Sequence, residues 1–160
     1  MNTQIIRPAE QADLERMVAI ARNEWLAIYE GFRAQLGEEI FAQIYHEPLA
    51  QKEAQIRENL KSDLCFVTEC DGEIAGFITC RFDANTKIGR IGNNAVSADF
   101  RGQGIGVRQY EFVFERFREM GASIACVTTG LDEAHAPARR AYEKAGFSAS
   151  LSSVTYYKKL

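Results

Sequence analysis

The chain has 160 residues, of which 46% are hydrophobic, 26% are charged and three are prolines. A chain of this size can bury one core without disulfide or metal staples, and its composition excludes a disordered or fibrous protein. The net charge of -3 argues against a nucleic-acid binder that works by bulk electrostatics.

Two absences narrow the class of protein further. The apolar runs are too short to cross a bilayer, and the first residues lack the charged-then-apolar layout of a secretory signal, so the sequence predicts a cytoplasmic protein without a membrane partner. The four cysteines show no Cys-x-x-Cys spacing and only two histidines are present. We therefore expect neither a metal site nor a disulfide framework.

The beginning of the chain predicts a strand followed by helices. Residues 3–7 are β-rich and precede Pro8. Apolar residues then recur at the spacing of one helix face, at Leu14, Met17, Val18, Ala21 and Trp25. A second helical region spans residues 38–60 and is interrupted near Pro48, because proline breaks a helix interior.

A β-hairpin and a third strand follow these helices. Residues 64–69 and 74–82 flank the pair Asp71-Gly72, which supplies the positive φ angles of a tight turn. Residues 87–96 predict the third strand. Its pair Asn93-Asn94 is poor strand material and indicates a bulge or splay near the strand end.

The last part of the chain predicts two more helices and three strands. After a glycine-rich loop, one helix carries an apolar face and ends at Gly121. The residues of that face are Tyr110, Val113, Phe114, Phe117 and Met120. Residues 124–128 predict a buried strand, residues 137–145 a helix that ends at Gly146, and residues 147–151 and 154–158 two closing strands. No repeat or linker interrupts the pattern, so one domain is expected over residues 1–160.

The charge is distributed unevenly along the chain. Residues 1–80 carry seven basic and 14 acidic side chains, whereas residues 81–160 carry 12 basic and eight acidic ones. The basic half is therefore where an anionic ligand is expected. In the acidic half, Glu24, Glu30, Glu38 and Glu39 accompany Trp25, Tyr29 and Phe32, a combination that suits a cationic amine or is only a solvated helix face.

The glycine-rich loop lies between a predicted strand and a predicted helix. Its residues are Arg101, Gly102, Gln103, Gly104, Ile105 and Gly106. Glycines allow close approach to the backbone, and the N–H groups at a helix start favour a phosphate. A Walker loop is excluded because Gly-Lys-Ser/Thr is absent, and a dinucleotide fingerprint because Val107 replaces the third glycine. A tight turn without a ligand remains an alternative.

Two segments together resemble a known family. Residues 95–106, from Ala95-Val96 to Gly106, are similar to the acyl-CoA signature of the GNAT N-acyltransferases, and residues 138–147 resemble that family's Ala-x-x-x-Tyr-Glu-Lys-x-Gly-Phe block. The resemblance implies an α/β (α+β) fold with a mixed, mostly antiparallel central sheet flanked by helices. It also implies an acetyl-CoA-dependent N-acetyltransferase that acts on a small amine or peptide amine by direct transfer, without a metal. A non-catalytic acyl-CoA sensor is the alternative, and a homodimer through an exposed sheet edge stays open.

The resemblance also implies roles for particular residues. Tyr142 occupies the position of the proton donor, and His135 replaces the asparagine that most relatives have, so that it either contacts the pantetheine arm, accepts a proton or only packs. The residues expected to bind the cofactor are Ala95, Val96, Arg101, Gly102, Gln103, Gly104, Ile105, Gly106, Val107, His135 and Ala138. Further basic residues that can clamp phosphates are Arg139, Arg140 and Lys144.

No carboxylate lies on the third strand where many relatives of the resembled family have a general base, because Asn93 and Asn94 cannot accept the proton. Candidates by chain position alone are Glu24, Glu30, Asp132, Glu133 and His135. The sequence does not identify the acceptor amine.

Overall fold

The computed structural model describes residues 3–62 and 64–160, so residues 1, 2 and 63 of the predicted domain lie outside it. Its strands are β1 (Gln4–Pro8), β2 (Cys65–Cys70), β3 (Glu73–Asp83), β4 (Ile88–Val96) and β5 (Ile124–Val127). Its helices are α1 (Leu14–Leu36), α2 (Glu38–Ile44), α3 (Pro48–Asn59), α4 (Ile105–Glu119) and α5 (Ala136–Lys144). Single 3-10 turns occupy Gln11–Asp13, Ala98–Phe100 and Glu133–His135.

The five strands form one sheet in the order β1-β2-β3-β4-β5. All neighbouring strands are antiparallel except β4 and β5, which run parallel. This confirms the expected mixed, mostly antiparallel sheet. The β2–β3 turn also forms as predicted, since Asp71 and Gly72 both adopt positive φ angles, 50° and 88°.

Each face of the sheet carries its own core. Val67, Phe77 and Ala95 of the strands pack with the apolar stripe of α1 and with Ile56 of α3. On the opposite face, strand residues pack with side chains of α4 and α5, and the members of this second core include Phe66, Ile78, Ile91, Tyr110, Val113, Phe117 and Tyr142. Ala95 and Ile91 of β4 lie on opposite faces although they are four residues apart, because the register between β3 and β4 shifts between them.

A bidentate ion pair fixes the start of α1 against the sheet. Arg7 of β1 donates to both carboxylate oxygens of Asp13, at 2.7 and 2.9 Å. Asp13 also accepts the backbone N–H of Glu10 at 2.8 Å and is only 7% exposed. The Arg7 guanidinium, acting against burial, holds the pKa of this carboxyl below its ordinary value.

Two predicted features of the C-terminal part are wrong. Residues 147–160 form no strand. The Phe147 ring packs against the Phe114 ring of α4, with 5.5 Å between the ring centroids. Near the end of the chain, Lys159 pairs with Glu39 of α2. The serine-rich stretch 148–153 has little β-propensity. The predicted burial of β5 is also wrong, since Ile124 on this edge strand is 57% exposed.

Met120 likewise does not belong to the buried face of its helix. It follows the last residue of α4, directly before the turn at Gly121, and is 42% exposed. The helix ends before Met120 could reach the sheet.

Candidate active site

The glycine-rich loop and the first turn of α4 form an open concave backbone surface. Gly102 and Gly104 adopt positive φ angles of 77° and 75°, which side chains rarely tolerate. A Cβ built on Gly102 or Gly106 would meet no atom within 4 Å, and one on Gly104 would meet only the Arg108 guanidinium at 3.9 Å. The N–H groups of the first turn, Ile105 to Val107, have no acceptor within the helix, so they are available to an anion.

Strand β4 extends beyond its parallel partner and leaves one edge free. Pairing with β5 ends at Ile91 and Val127, whereas β4 continues to Val96. Ser97 donates its N–H to Ala75 of β3 at 2.8 Å. In an antiparallel ladder every second residue bonds to the same neighbour, so the backbone groups of Val96 point away from β3, into the gap beside β5. Ala95 faces β3 instead.

The predicted irregularity at the asparagine pair is a β-bulge. The register between β3 and β4 shifts between Ile78 and Cys80, so that β4 holds one extra residue. The Thr79 hydroxyl donates to the Asn93 carbonyl at 3.1 Å, which satisfies a group that has left the ladder. Two residues after the end of β5, the Thr129 hydroxyl oxygen is buried and has no hydrogen-bond partner among the described residues. An orphaned polar atom at this position is available to a ligand.

Tyr142 of α5 reaches β4 on the face opposite α1. Its hydroxyl donates to the Asn94 side chain at 3.3 Å, and the amide of Asn94 in turn donates to the Tyr110 hydroxyl at 2.7 Å. Tyr142 is 7% exposed, and burial raises its pKa. The hydroxyl therefore stays protonated through the neutral range and can act as a donor. Asn94, which the sequence singled out only as a poor strand residue, orients it.

His135 forms a dyad with Asp132. Its Nδ1 lies 2.7 Å from an Asp132 carboxylate oxygen. Burial opposes ionisation of Asp132, but the hydrogen bond and charge of His135 and the backbone N–H groups together outweigh it and lower the pKa of Asp132. Since a carboxylate only accepts, we infer that Nδ1 carries the proton and that Nε2 is left as an acceptor. The imidazole also stacks on the Phe32 ring of α1, with 6.2 Å between the ring centroids.

The backbone around this dyad is fixed by two features that the sequence did not reveal. Arg139 donates to the carbonyls of Gly130 and Asp132, at 2.7 and 2.8 Å. Gly130 leaves room for the dyad, because a Cβ there would lie 2.2 Å from the Asp132 carboxylate and 2.6 Å from His135 Nδ1. Arg139 is thus engaged in holding the loop rather than free as a phosphate clamp.

The remaining basic candidates occupy different positions. Arg101 is exposed beside the glycine-rich loop and pairs with Glu24 of α1, which removes Glu24 as a free base. Arg140 and Lys144 are exposed on α5. Arg108, which sequence reasoning missed, contacts the Gln103 carbonyl and lies over the loop. Its position one turn into an amphipathic helix, four residues after Gly104, is the signal that could have identified it.

The buried cysteines Cys65 and Cys80 are poor nucleophiles. Burial raises the pKa of Cys65 to about 11 and that of Cys80 to about 12, so neither thiol is activated as a nucleophile. Within residues 3–62 and 64–160, no group of histidine, cysteine and acidic residues is arranged to hold a metal ion. The helices in these ranges are also too short or too polar to cross a bilayer.

Comparisons with known proteins agree with this architecture. A search of curated protein sequences gives no significant match. Among solved structures, the PaiA N-acetyltransferase of Thermoplasma acidophilum in complex with coenzyme A superimposes with a TM-score of 0.73 at 19% identity, over 94% of this chain and 93% of that chain.

Two further solved structures share the fold. The aminoglycoside N-acetyltransferase AAC(6')-Iy in complex with CoA gives a TM-score of 0.68 at 16% identity, over 100% of this chain and 97% of that chain. The ribosomal-protein-S18-alanine N-acetyltransferase of Escherichia coli gives a TM-score of 0.64 at 18% identity, over 93% of this chain and 80% of that chain. The sequence profile of the acetyltransferase (GNAT) family matches residues 25–147. Since this match covers more than half of the chain, the protein belongs to the GNAT family of acetyltransferases.

Proposed function

We propose that this protein transfers an acetyl group from acetyl-CoA directly to an amine, with Tyr142 as proton donor and His135 as proton acceptor. The observation that supports the proposal is the free edge of β4 near Tyr142. It has the open glycine-rich loop at one end and the Tyr142 hydroxyl, bonded to Asn94, beside it.

The loop fits the pyrophosphate of CoA. The space above Gly102 and Gly106 is open, and the N–H groups from Gly102 to Val107 would hold the pyrophosphate at the positive end of α4. Arg108 adds positive charge at the rim, whereas the Arg101 side chain stays paired with Glu24. Acetyl-CoA supplies an activated thioester when bound, so the protein has only to orient an amine, move protons and stabilise charge.

The β4 edge would stabilise the charge that develops on the carbonyl oxygen. The backbone N–H of Val96 points into the gap and can donate to that oxygen. The orphaned Thr129 hydroxyl on the opposite side can bond the pantetheine arm, and Ala138, a small residue between His135 and Tyr142 on the same face of α5, leaves space for it.

Proton transfer would use both ends of α5. His135 and Tyr142 are seven residues apart, which places them on one helix face about two turns apart. Nε2 of His135, with Nδ1 held by Asp132, would take the proton from the amine. Tyr142 would protonate the departing thiolate. Cys65 and Cys80 do not compete as covalent carriers, because burial keeps their thiols protonated.

The proposal is tested by mixing the protein and acetyl-CoA with a panel of amines and measuring free thiol. The panel contains amino acids, peptide N-termini, polyamines, aminoglycosides and amino sugars. Amine-dependent thiol release that Tyr142→Phe strongly reduces supports the enzyme. Tight CoA binding without turnover of any amine would support a sensor module instead.

A further inference from the structure

Lys52 of α3 is a partly buried cation beside β4, on the face of the sheet that α1 and α3 cover. Its ammonium donates to the Asn93 side chain at 2.8 Å and to the Gln55 side chain at 2.7 Å. It also lies 4.6 Å from the centre of the Trp25 ring of α1. All three partners are neutral.

Lys52 therefore lacks a countercharge. Its neighbours along the chain differ in this respect, because Arg57 pairs with Glu53 at 2.8 Å and Lys61 with Glu58 at 2.5 Å. Over residues 3–62 and 64–160, no carboxylate pairs with Lys52, and burial lowers its pKa from 10.5 to about 8. A cation in this situation gains stability from an anion that binds beside it.

The position of Lys52 relates it to the reaction centre. Its partner Asn93 directly precedes Asn94, which orients the Tyr142 hydroxyl. Lys52 and Tyr142 approach β4 from α3 and α5, which cover opposite faces of the sheet. An acceptor on the Lys52 side would meet the free edge of β4 from the face opposite the proposed proton donor.

A cavity large enough for a small acceptor lies one helical turn from Lys52. It measures about 430 Å³ and lies between α1 and the start of α3, where Tyr29 and Pro48 form part of its wall and the charged residues of the wall are Glu30, Arg33 and Glu47. Tyr29 is one helical turn from Trp25, and Pro48 is one turn from Lys52. The pair Trp25 and Lys52 therefore forms the next layer of the same interhelical space.

We propose that Lys52 binds a carboxylate of the acceptor, so that the acceptor is an amino acid or another small amine that carries a carboxylate. This inference rests on the proposed acetyl transfer and specifies its substrate class. The cavity takes the rest of the acceptor, and Asn93 holds the ammonium of Lys52 in place.

The inference reverses the expectation drawn from the charge of the N-terminal half. Three of the four glutamates that favoured a cationic acceptor have cationic partners in the structure: Glu24 pairs with Arg101, Glu38 with Arg33 and Glu39 with Lys159. Their charges are thus largely compensated. Lys52, in contrast, donates to Asn93 of β4 and has no carboxylate partner among the described residues.

The test compares α-amino acids with their α-amides, which retain the amine and lose the negative charge. Leucine with leucinamide and methionine with methioninamide are suitable pairs, because the cavity wall is partly apolar. Wild-type protein should show a kcat/KM at least about tenfold higher for the acid than for its amide, the worth of a hydrogen bond to a charged group. Lys52→Met, which keeps the apolar stem on Trp25, should abolish this preference by lowering only the rate with the acid.

Two variants and a binding measurement separate the possible outcomes. Lys52→Arg should retain most of the preference, and Lys61→Met, a change at an exposed lysine, should leave it intact. Amides that react as well as acids, or a Lys52→Met variant that slows both equally, would overturn the inference while leaving acetyl transfer in place. If no amine is turned over, the proposed function fails. In that case calorimetry on CoA-loaded protein still tests the inference. Wild-type protein should bind each amino acid more tightly than its amide, and Lys52→Met should bind the two equally.

Discussion

Replacing Gly130 by alanine perturbs the Asp132–His135 dyad without changing either member. The added Cβ would lie 2.2 Å from the Asp132 carboxylate oxygen and 2.6 Å from His135 Nδ1, whereas ordinary contacts begin at about 3.4 Å. The oxygen must therefore retreat by about 1.2 Å and the nitrogen by about 0.8 Å. Misplacement of a catalytic group by about 1 Å can cost about 100-fold in rate, which corresponds to about 2.7 kcal/mol in activation free energy.

The assay is steady-state kcat with acetyl-CoA and the best acceptor, together with CoA affinity by calorimetry. Gly130→Ala should lower kcat by about 100-fold and leave the CoA Kd within about twofold. Gly31→Ala is the matched control, because a Cβ at this helical position meets no atom within 4 Å. An unchanged kcat in folded Gly130→Ala would refute the role of the dyad. A loss of CoA affinity as large as the loss of kcat would assign His135 to the pantetheine arm instead.

Three further substitutions test other parts of the account. Tyr142→Phe should lower kcat by about 10²–10⁴ while calorimetry shows an unchanged CoA Kd, because only the proton donor is lost. Gly104→Val should weaken CoA binding by at least about tenfold in calorimetry, whereas Gly121→Val, at a similar positive φ of 87° in open space, should not. Asp13→Asn should lower the free energy of unfolding by about 2 kcal/mol at pH 7 in urea titrations. Since Arg7 depresses the pKa of Asp13, wild type should lose this advantage progressively as the pH falls below about 4 towards the lowered pKa, and an advantage that stays constant between pH 4 and pH 2 would contradict the assignment.

Features that depend on local pattern could be predicted from the sequence. The spacing of Leu14, Met17 and Val18 defines the buried face of α1, and the pair Asp71-Gly72 defines the β2–β3 turn. The asparagine pair indicated the bulge in β4 because amide side chains fit poorly in a regular ladder. Each of these features depends on residues within one or two turns of chain.

Features that depend on distant partners could not be predicted. The contacts of Lys52 with Asn93 and of Glu24 with Arg101 join residues 41 and 77 positions apart. The alternation in residues 147–158 suggested strands, but a strand forms only where another strand offers backbone groups to pair with. Likewise, nothing in the sequence distinguishes Gly130 from a loop glycine until the dyad that it accommodates is known.

The most direct test of the central claim follows the acetyl group from isotopically labelled acetyl-CoA by mass spectrometry. With an accepted amine, the account predicts label in an amide on the acceptor, free CoA in equal amount and an unlabelled protein, both with and without the acceptor. Label on the protein before the amine is added would contradict direct transfer. Binding of acetyl-CoA with no labelled product from any amine would contradict the enzymatic function itself.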